Sequence, residues 1–242
     1  MTPQELIDRI NYFATSLYEV SKWRTTSDPF GHIDSKTADN YIYEFYCYMR
    51  ILEDLQANYE VRFVPGTNSF PKKPANKSNG WARFDLHDKT NGTLLFQVCA
   101  GTNVEHTAIA NYTAAPDISF QTHDSPNTPN ENHLLMILDS KYKTGKADDK
   151  KIDIATLREF ANIVNDFDLD AAKSSRILLN ALQTISGNCL VSNGQTAADH
   201  QPFCAHSRIN PDYALDHVHF AEPPGIFIVS QVLTNHFFDA HT

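Results

Sequence analysis

Cysteine is scarce: Cys47, Cys99, Cys189 and Cys204 are the only four in 242 residues, and no two of them are spaced as CxxC. A disulfide framework is therefore not expected. Three of the four sit inside apolar segments, which suits buried reduced thiols and a cytoplasmic protein. No stretch approaches the roughly 18 consecutive apolar residues of a membrane span, and Met1-Thr2-Pro3-Gln4-Glu5 lacks the basic and apolar regions of a signal peptide. Neither is expected. Positive charge is also in short supply, with Lys plus Arg at 20 against 29 for Asp plus Glu and a formal net charge of -9. That is the wrong sign for a chain that holds nucleic acid by counterion release alone. No internal repeat or low-complexity tract occurs, so the chain is not built as a repeat array.

What is present fits an ordinary globular protein, at 41% hydrophobic and 11% aromatic residues. The length allows one large domain, or a domain with a helical appendage, and a sizeable core. Thr2-Pro3-Gln4-Glu5 is a helix start, with Thr2 as cap and Pro3 in the first turn, and the helix is expected to reach about Lys22. Leu6, Ile10, Phe13 and Leu17 give it an apolar stripe. After the break at Asp28-Pro29-Phe30-Gly31, a second helix is expected from near Ser35 to about Ala57. Tyr41, Glu44, Tyr48, Ile51 and Leu55 recur three or four apart along it, placing the Glu44 carboxylate on an apolar face, where it is buried or lines a site. Glu53 falls off that stripe.

Strands are expected at 59–64, 81–87 and 93–100, divided by a Pro/Lys-rich segment at 66–79 and by the hairpin turn Lys89-Thr90-Asn91-Gly92. Two more follow at 117–121 and 133–142. Asp153 then caps an amphipathic helix bearing Ile154, Leu157, Phe160, Ala161 and Val164, placed to cross over a sheet. Residues 177–185 read as helix, Cys189–Ser192 as a short buried strand and 225–232 as a last strand. The order predicts an α/β fold with a mixed sheet.

The stretch richest in chemistry is the apolar run from His133 to Leu138, which ends in Asp139-Ser140-Lys141. An uninterrupted apolar run of this kind reads as a strand buried on both faces. Alternation puts Asp139 and Lys141 on one face and Ser140 on the other. Charges at the end of a buried strand cost several kcal/mol each unless paired or bound to a metal. Asp117, after Pro116, supplies a further carboxylate from the preceding strand, and a divalent cation is an economical way to satisfy the group.

Pro116-Asp117 followed by Asp139-Ser140-Lys141 resembles the signature of the PD-(D/E)XK nuclease superfamily. The motif lies at the end of a hydrophobic strand and continues in Tyr142-Lys143, as in many Mrr-type and related restriction proteins. Tyr43-Glu44 resembles the Tyr-Glu that opens the core in several of these families, and Gly187 to Gly194 resembles a later strand. The resemblance implies a restriction-endonuclease-like mixed sheet flanked by helices over residues 35–242, preceded by an N-terminal helical segment at 1–34. It implies a nuclease that hydrolyses phosphodiester bonds with Mg²⁺ or Mn²⁺, on DNA in preference to RNA, in a restriction or antiphage defence setting. Asp117 and Asp139 would bind the metal, with the carbonyl of Ser140 and the Glu44 carboxylate as further ligands. Lys141 would orient water and stabilise the transition state.

Acidity points to help with substrate: a protein partner for delivery or activation, a homodimer that brings two active sites to two strands, or the basic strip Lys141, Lys143, Lys146, Lys150 and Lys151. The same acidity favours an alternative, a catalytically silent nuclease-like scaffold or interaction subunit of a defence complex. His200, Cys204, His206, His217 and His219 raise the further alternative of a zinc-dependent hydrolase, but none of their spacings matches a recurrent zinc motif. Trp23, Tyr46 and Phe70 are expected to be packing residues rather than base-stacking platforms.

Overall fold

The computed structural model describes residues 2–21, 33, 37–66, 70–71, 73–77, 80–143, 151–169, 176–177, 188–192, 195–196, 200, 202–203 and 227–230. The protein is mixed α/β and falls into two compact units, Met1–Leu135 and Met136–Thr242. No helix among the described residues is long and apolar enough to cross a membrane.

The first unit opens with α1 (Pro3–Ser21) and α2 (Asp39–Leu55). Thr2 and Glu5 cap α1 reciprocally: the Thr2 Oγ1 accepts from the Glu5 amide at 3.3 Å, and the Thr2 amide donates to Glu5 at 2.6 Å. This capping box satisfies two amides that the first turn leaves without helical partners. Leu6, Ile10, Phe13 and Leu17 are buried as the spacing predicts. Helix α2 starts at Asp39 rather than near Ser35, with Ala38 at its N-cap and no side-chain cap bond. It is also buried nearly all round instead of along one stripe. The reason is contact on two sides: Tyr46 meets Phe13 of α1, while the Tyr48 hydroxyl donates to the Val98 carbonyl at 2.9 Å.

Beyond α2 come β1 (Tyr59–Val64), β2 (Arg83–Asp88), β3 (Leu94–Ala100), β4 (Val104–Glu105), β5 (Thr113–Ala114) and β6 (Ile118–Thr122). β1, β2, β3 and β6 pair antiparallel in that order, and β4 and β5 form a separate two-stranded ribbon. The β2–β3 turn is the expected one, with Gly92 at a φ of 72° where a side chain would be strained. Phe84 and Leu86, both 0% exposed, point from β2 into the core. Arg83 and Asp85 alternate onto the other face and pair at 3.0 Å.

The segment before β2 is held against this sheet. The Ala75 amide donates to the Gly101 carbonyl and its carbonyl accepts from the Asn103 amide, each at 3.0 Å. Lys77 is buried, and its ammonium donates to Gln97 Oε1 and to the Ser125 carbonyl at 3.0 Å, and to Ser125 Oγ at 3.1 Å. All three acceptors are neutral. Burial lowers the Lys77 ammonium from its ordinary value of 10.5, with Arg83 adding to the effect and Cys99 and Asp85 opposing it. A lysine whose folded value is depressed binds less proton folded than unfolded in the window below 10.5, so its contribution to stability grows as pH rises through that window. Urea denaturation should therefore show wild type gaining on Lys77→Met from neutral pH toward 10.5, and a pH-independent difference would contradict this assignment.

In the second unit the chain continues along β7 (Leu134–Lys141), whose first two residues still belong to the first, and through β8 (Lys151–Ile152) to α3 (Ile154–Asp166). β9 (Cys189–Ser192), β10 (Gln195–Thr196) and β11 (Phe227–Ser230) complete it. β7 pairs parallel with β9, which pairs antiparallel with β11, so this sheet is mixed; β8 and β10 make a short parallel pair. Asp153 caps α3, its Oδ1 accepting from the Thr156 amide at 2.8 Å. Leu157, Phe160, Ala161 and Val164 are its buried face, as expected for the β7-to-β9 crossover.

Asn188 joins three parts of this unit. Its Oδ1 accepts from the Ile137 amide at 2.9 Å and its Nδ2 donates to the Leu169 carbonyl at 3.3 Å, at 1% exposure. Asn188→Ala would strand a buried amide in β7 and should cost about 1–3 kcal/mol in chemical denaturation; a change of a few tenths would refute the role. Residues 178–187 and Trp23 lie outside the described residues.

Candidate functional site

Two groups of the residues marked by the sequence are brought together, one in each unit. In the first, Glu44 and Asp117 line one cavity of about 280 Å³ together with Asn40, Tyr41, Lys73 and Gly101. α2 carries Glu44 among buried neighbours while leaving it half-buried. Asp117 is held by its backbone: it follows the buried Pro116 directly before β6, and its carbonyl accepts from the Gly101 amide at 2.9 Å. Gly101 sits at a φ of 51° just past β3, a left-handed conformation that favours glycine. A Cβ there would also stand 3.5 Å from Pro71 on the cavity wall.

The electrostatics of this cavity are acidic. Burial chiefly, and then the charge of Glu44, raise the Tyr41 hydroxyl well above its ordinary value, so it is a neutral phenol at physiological pH. Burial also raises the Cys47 thiol, and the Asp117 and Glu44 carboxylates push it further in the same direction. Cys47 is accordingly a protonated core thiol, not a nucleophile. Glu53 has a different place: its carboxylate pairs with Arg50 at 2.6 Å, and that guanidinium lies 5.4 Å from the centre of the Phe13 ring.

In the second unit, Asp139 and Lys141 share a strand face as alternation requires, and Lys141 Nζ lies 2.7 Å from Asp139 Oδ2. Both are half-buried, their side chains 15% and 32% exposed. Ser140 alternates away and is buried. The end of β7 is fastened to β9, with Asp139 opposite Leu190 and Lys141 opposite Ser192, whose hydroxyl donates to the Lys141 carbonyl at 2.7 Å. Lys143 is 3.4 Å from Asp153, the α3 cap. That cap carboxyl is held below its ordinary value, first by the Thr156 amide and also by Lys143. Of the basic strip, Lys146 and Lys150 fall outside the described residues, as does the Lys151 side chain.

Among the described residues, no three His, Cys, Asp or Glu side chains converge in an arrangement able to hold a metal ion. Cys204, His206, His217 and His219 lie outside those residues. Cys47, Cys99 and Cys189 are buried free thiols, and Tyr46 and Phe70 are core residues at 2% exposure each. The sequence reading missed Lys73, Asn40 and Gly101 as cavity residues. The one local signal was the Pro71-Lys72-Lys73-Pro74 segment, read only as a divider between strands. No protein-family model matches the chain, and comparisons with curated proteins and with solved structures give no match.

Proposed function

We propose that this protein is a metal-dependent nuclease of the restriction-endonuclease-like fold that hydrolyses phosphodiester bonds, DNA in preference to RNA, in a restriction or antiphage defence setting. The observation that carries the reading is the half-buried Asp139–Lys141 pair, a carboxylate and an ammonium 2.7 Å apart at the end of an otherwise apolar strand. Supporting it, Glu44 and Asp117 line one cavity. Asp117, Asp139, Glu44 and the Ser140 carbonyl offer only hard oxygen, the donor type that Mg²⁺ or Mn²⁺ takes, with no thiolate or imidazole, although no three of the described acidic side chains converge. When bound, such an ion supplies Lewis acidity toward the phosphate and lowers the pKa of a coordinated water.

The protein's own groups have distinct parts in this mechanism. Asp117 and Asp139 would be the principal metal ligands, with Glu44 and the Ser140 carbonyl as further ones. Lys141 is a compact ammonium held in place by Asp139, suited to orient the attacking water and to meet the negative charge that develops on the phosphoryl oxygens. The Tyr41 phenol, whose ionisation burial and Glu44 only make harder, adds no charge to a cavity that already carries two carboxylates.

We further propose a cytoplasmic homodimer, with a partner that delivers substrate, because a chain of net charge -9 attracts a polyanion poorly by itself. The same charge favours a second reading, a catalytically silent nuclease-like subunit of a defence complex. Incubating the purified protein with plasmid DNA separates the two: nicking or cleavage in Mg²⁺ or Mn²⁺ that stops on chelation supports the nuclease. A protein inert on DNA and RNA with every divalent ion, candidate partners present, supports the silent subunit.

A further inference from the structure

The cavity that holds Glu44 and Asp117 also contains Lys73, a residue the mechanism leaves without a part. Lys73 is exposed, and among the described residues its ammonium has no hydrogen-bond or ion-pair partner, although two carboxylates line the same cavity. Its backbone, by contrast, is fastened on both sides. On the N-terminal side, Phe70 is 2% exposed and packs with Phe45 at 5.2 Å and Tyr48 at 5.6 Å between ring centres. Toward the C-terminus, Ala75 exchanges backbone hydrogen bonds with Gly101 and Asn103, and Lys77 is buried with three hydrogen bonds of its own. Pro74 follows it directly and Pro71 lies two residues before it, each with its own φ limited by the ring. An exposed cationic tip on a fixed backbone is thus presented at the wall of a cavity that also holds two carboxylates.

We propose that Lys73 is the phosphate-binding residue of this cavity: it takes a phosphate of the nucleic-acid strand while Glu44 and Asp117 face the metal. The proposal rests on the nuclease reading and adds the residue that holds the substrate there. The charges argue for it. With a divalent cation offsetting the two carboxylates, Lys73 is the cavity's own remaining charge, and a polyanion entering an acidic protein needs one. An ammonium on a flexible stem serves as a point-charge contact to phosphate and reads no base, so the contact contributes affinity without sequence preference. The cavity volume, about 280 Å³, accommodates a sugar-phosphate group, with Phe45, Pro71 and Pro74 as apolar wall.

The test compares wild type with Lys73→Ala and Lys73→Arg on a fluorescently labelled DNA oligonucleotide. Binding is followed by anisotropy in Ca²⁺ across a salt series, and cleavage is followed in Mg²⁺. Lys73→Ala should weaken binding and raise KM about tenfold, leave kcat within about threefold and shallow the slope of log affinity against log salt by about one, with Lys73→Arg restoring most of the loss. Unchanged affinity and salt slope in Lys73→Ala, with wild type binding and cutting, would overturn the role of Lys73 alone. A loss confined to kcat, or one that arginine fails to restore, would overturn it as well. A wild type that neither binds nor cuts overturns the nuclease reading, and this proposal with it.

Discussion

Replacing Lys141 with alanine is expected to lower DNA cleavage by about 10²- to 10³-fold while the protein stays folded, the scale seen when one group that stabilises transition-state charge is removed. The expectation follows from the position of the ammonium, 2.7 Å from Asp139 at the end of β7. Asp139 and Lys141 are partly open to solvent, so separating them costs little in stability beside the loss of function. Lys141→Met, which keeps most of the side-chain volume, should be as inactive as Lys141→Ala and melt within a few degrees of wild type. If either variant cuts DNA at the wild-type rate, the pair is a surface ion pair with no part in chemistry. If both unfold, the two are structural.

The largest expected effect on stability is at Phe70. Its ring packs with those of Phe45, Tyr48, Phe63 and Phe84, stacking on Phe84 with an interplanar angle of 8°. Removing a buried aromatic ring from such a cluster loses its transfer free energy and leaves a cavity that the neighbours fill only in part. Phe70→Ala is expected to cost about 3–5 kcal/mol in urea denaturation, a large share of the total stability of a typical domain. A loss below about 1 kcal/mol would mean that the segment before β2 is held by its backbone and Lys77 alone.

Much of the fold was legible where a local signal has one physical meaning. Thr2-Pro3 marked the start of α1, Asn91-Gly92 the β2–β3 hairpin and Asp153 the cap of α3, and each forms as read. Of the run read as strand from His133, Leu134 to Leu138 are buried throughout while His133 closes a 3-10 turn ahead of the strand, and alternation placed Asp139, Ser140 and Lys141 correctly on their faces. The start of α2 was misplaced because Ala38 offers no capping side chain to read. Its single stripe was misread because contacts on opposite sides bury residues that periodicity alone assigns to solvent. β4, β5, β8 and β10 are two residues each, too short for any pattern to register.

The candidate site divides in the same way. Asp139 and Lys141 are two residues apart on one strand, so strand geometry alone joins them. Glu44 and Asp117 are far apart in sequence, and only a family resemblance linked them before the cavity did. Lys73 and Lys77 lie in one irregular segment with opposite fates, an exposed cavity wall and a buried anchor. Composition cannot separate them; the difference lies in the backbone bonds of Ala75 and the neutral acceptors around Lys77.

The central proposal is that the carboxylates of Asp117 and Asp139 each bind catalytic divalent metal, and diffraction from crystals soaked in Mn²⁺ tests it most directly. The predicted result is anomalous density at the carboxylate of Asp117 and at that of Asp139, the latter lost in Asp139→Asn. Manganese density absent from both carboxylates in a fully soaked wild-type crystal would contradict it.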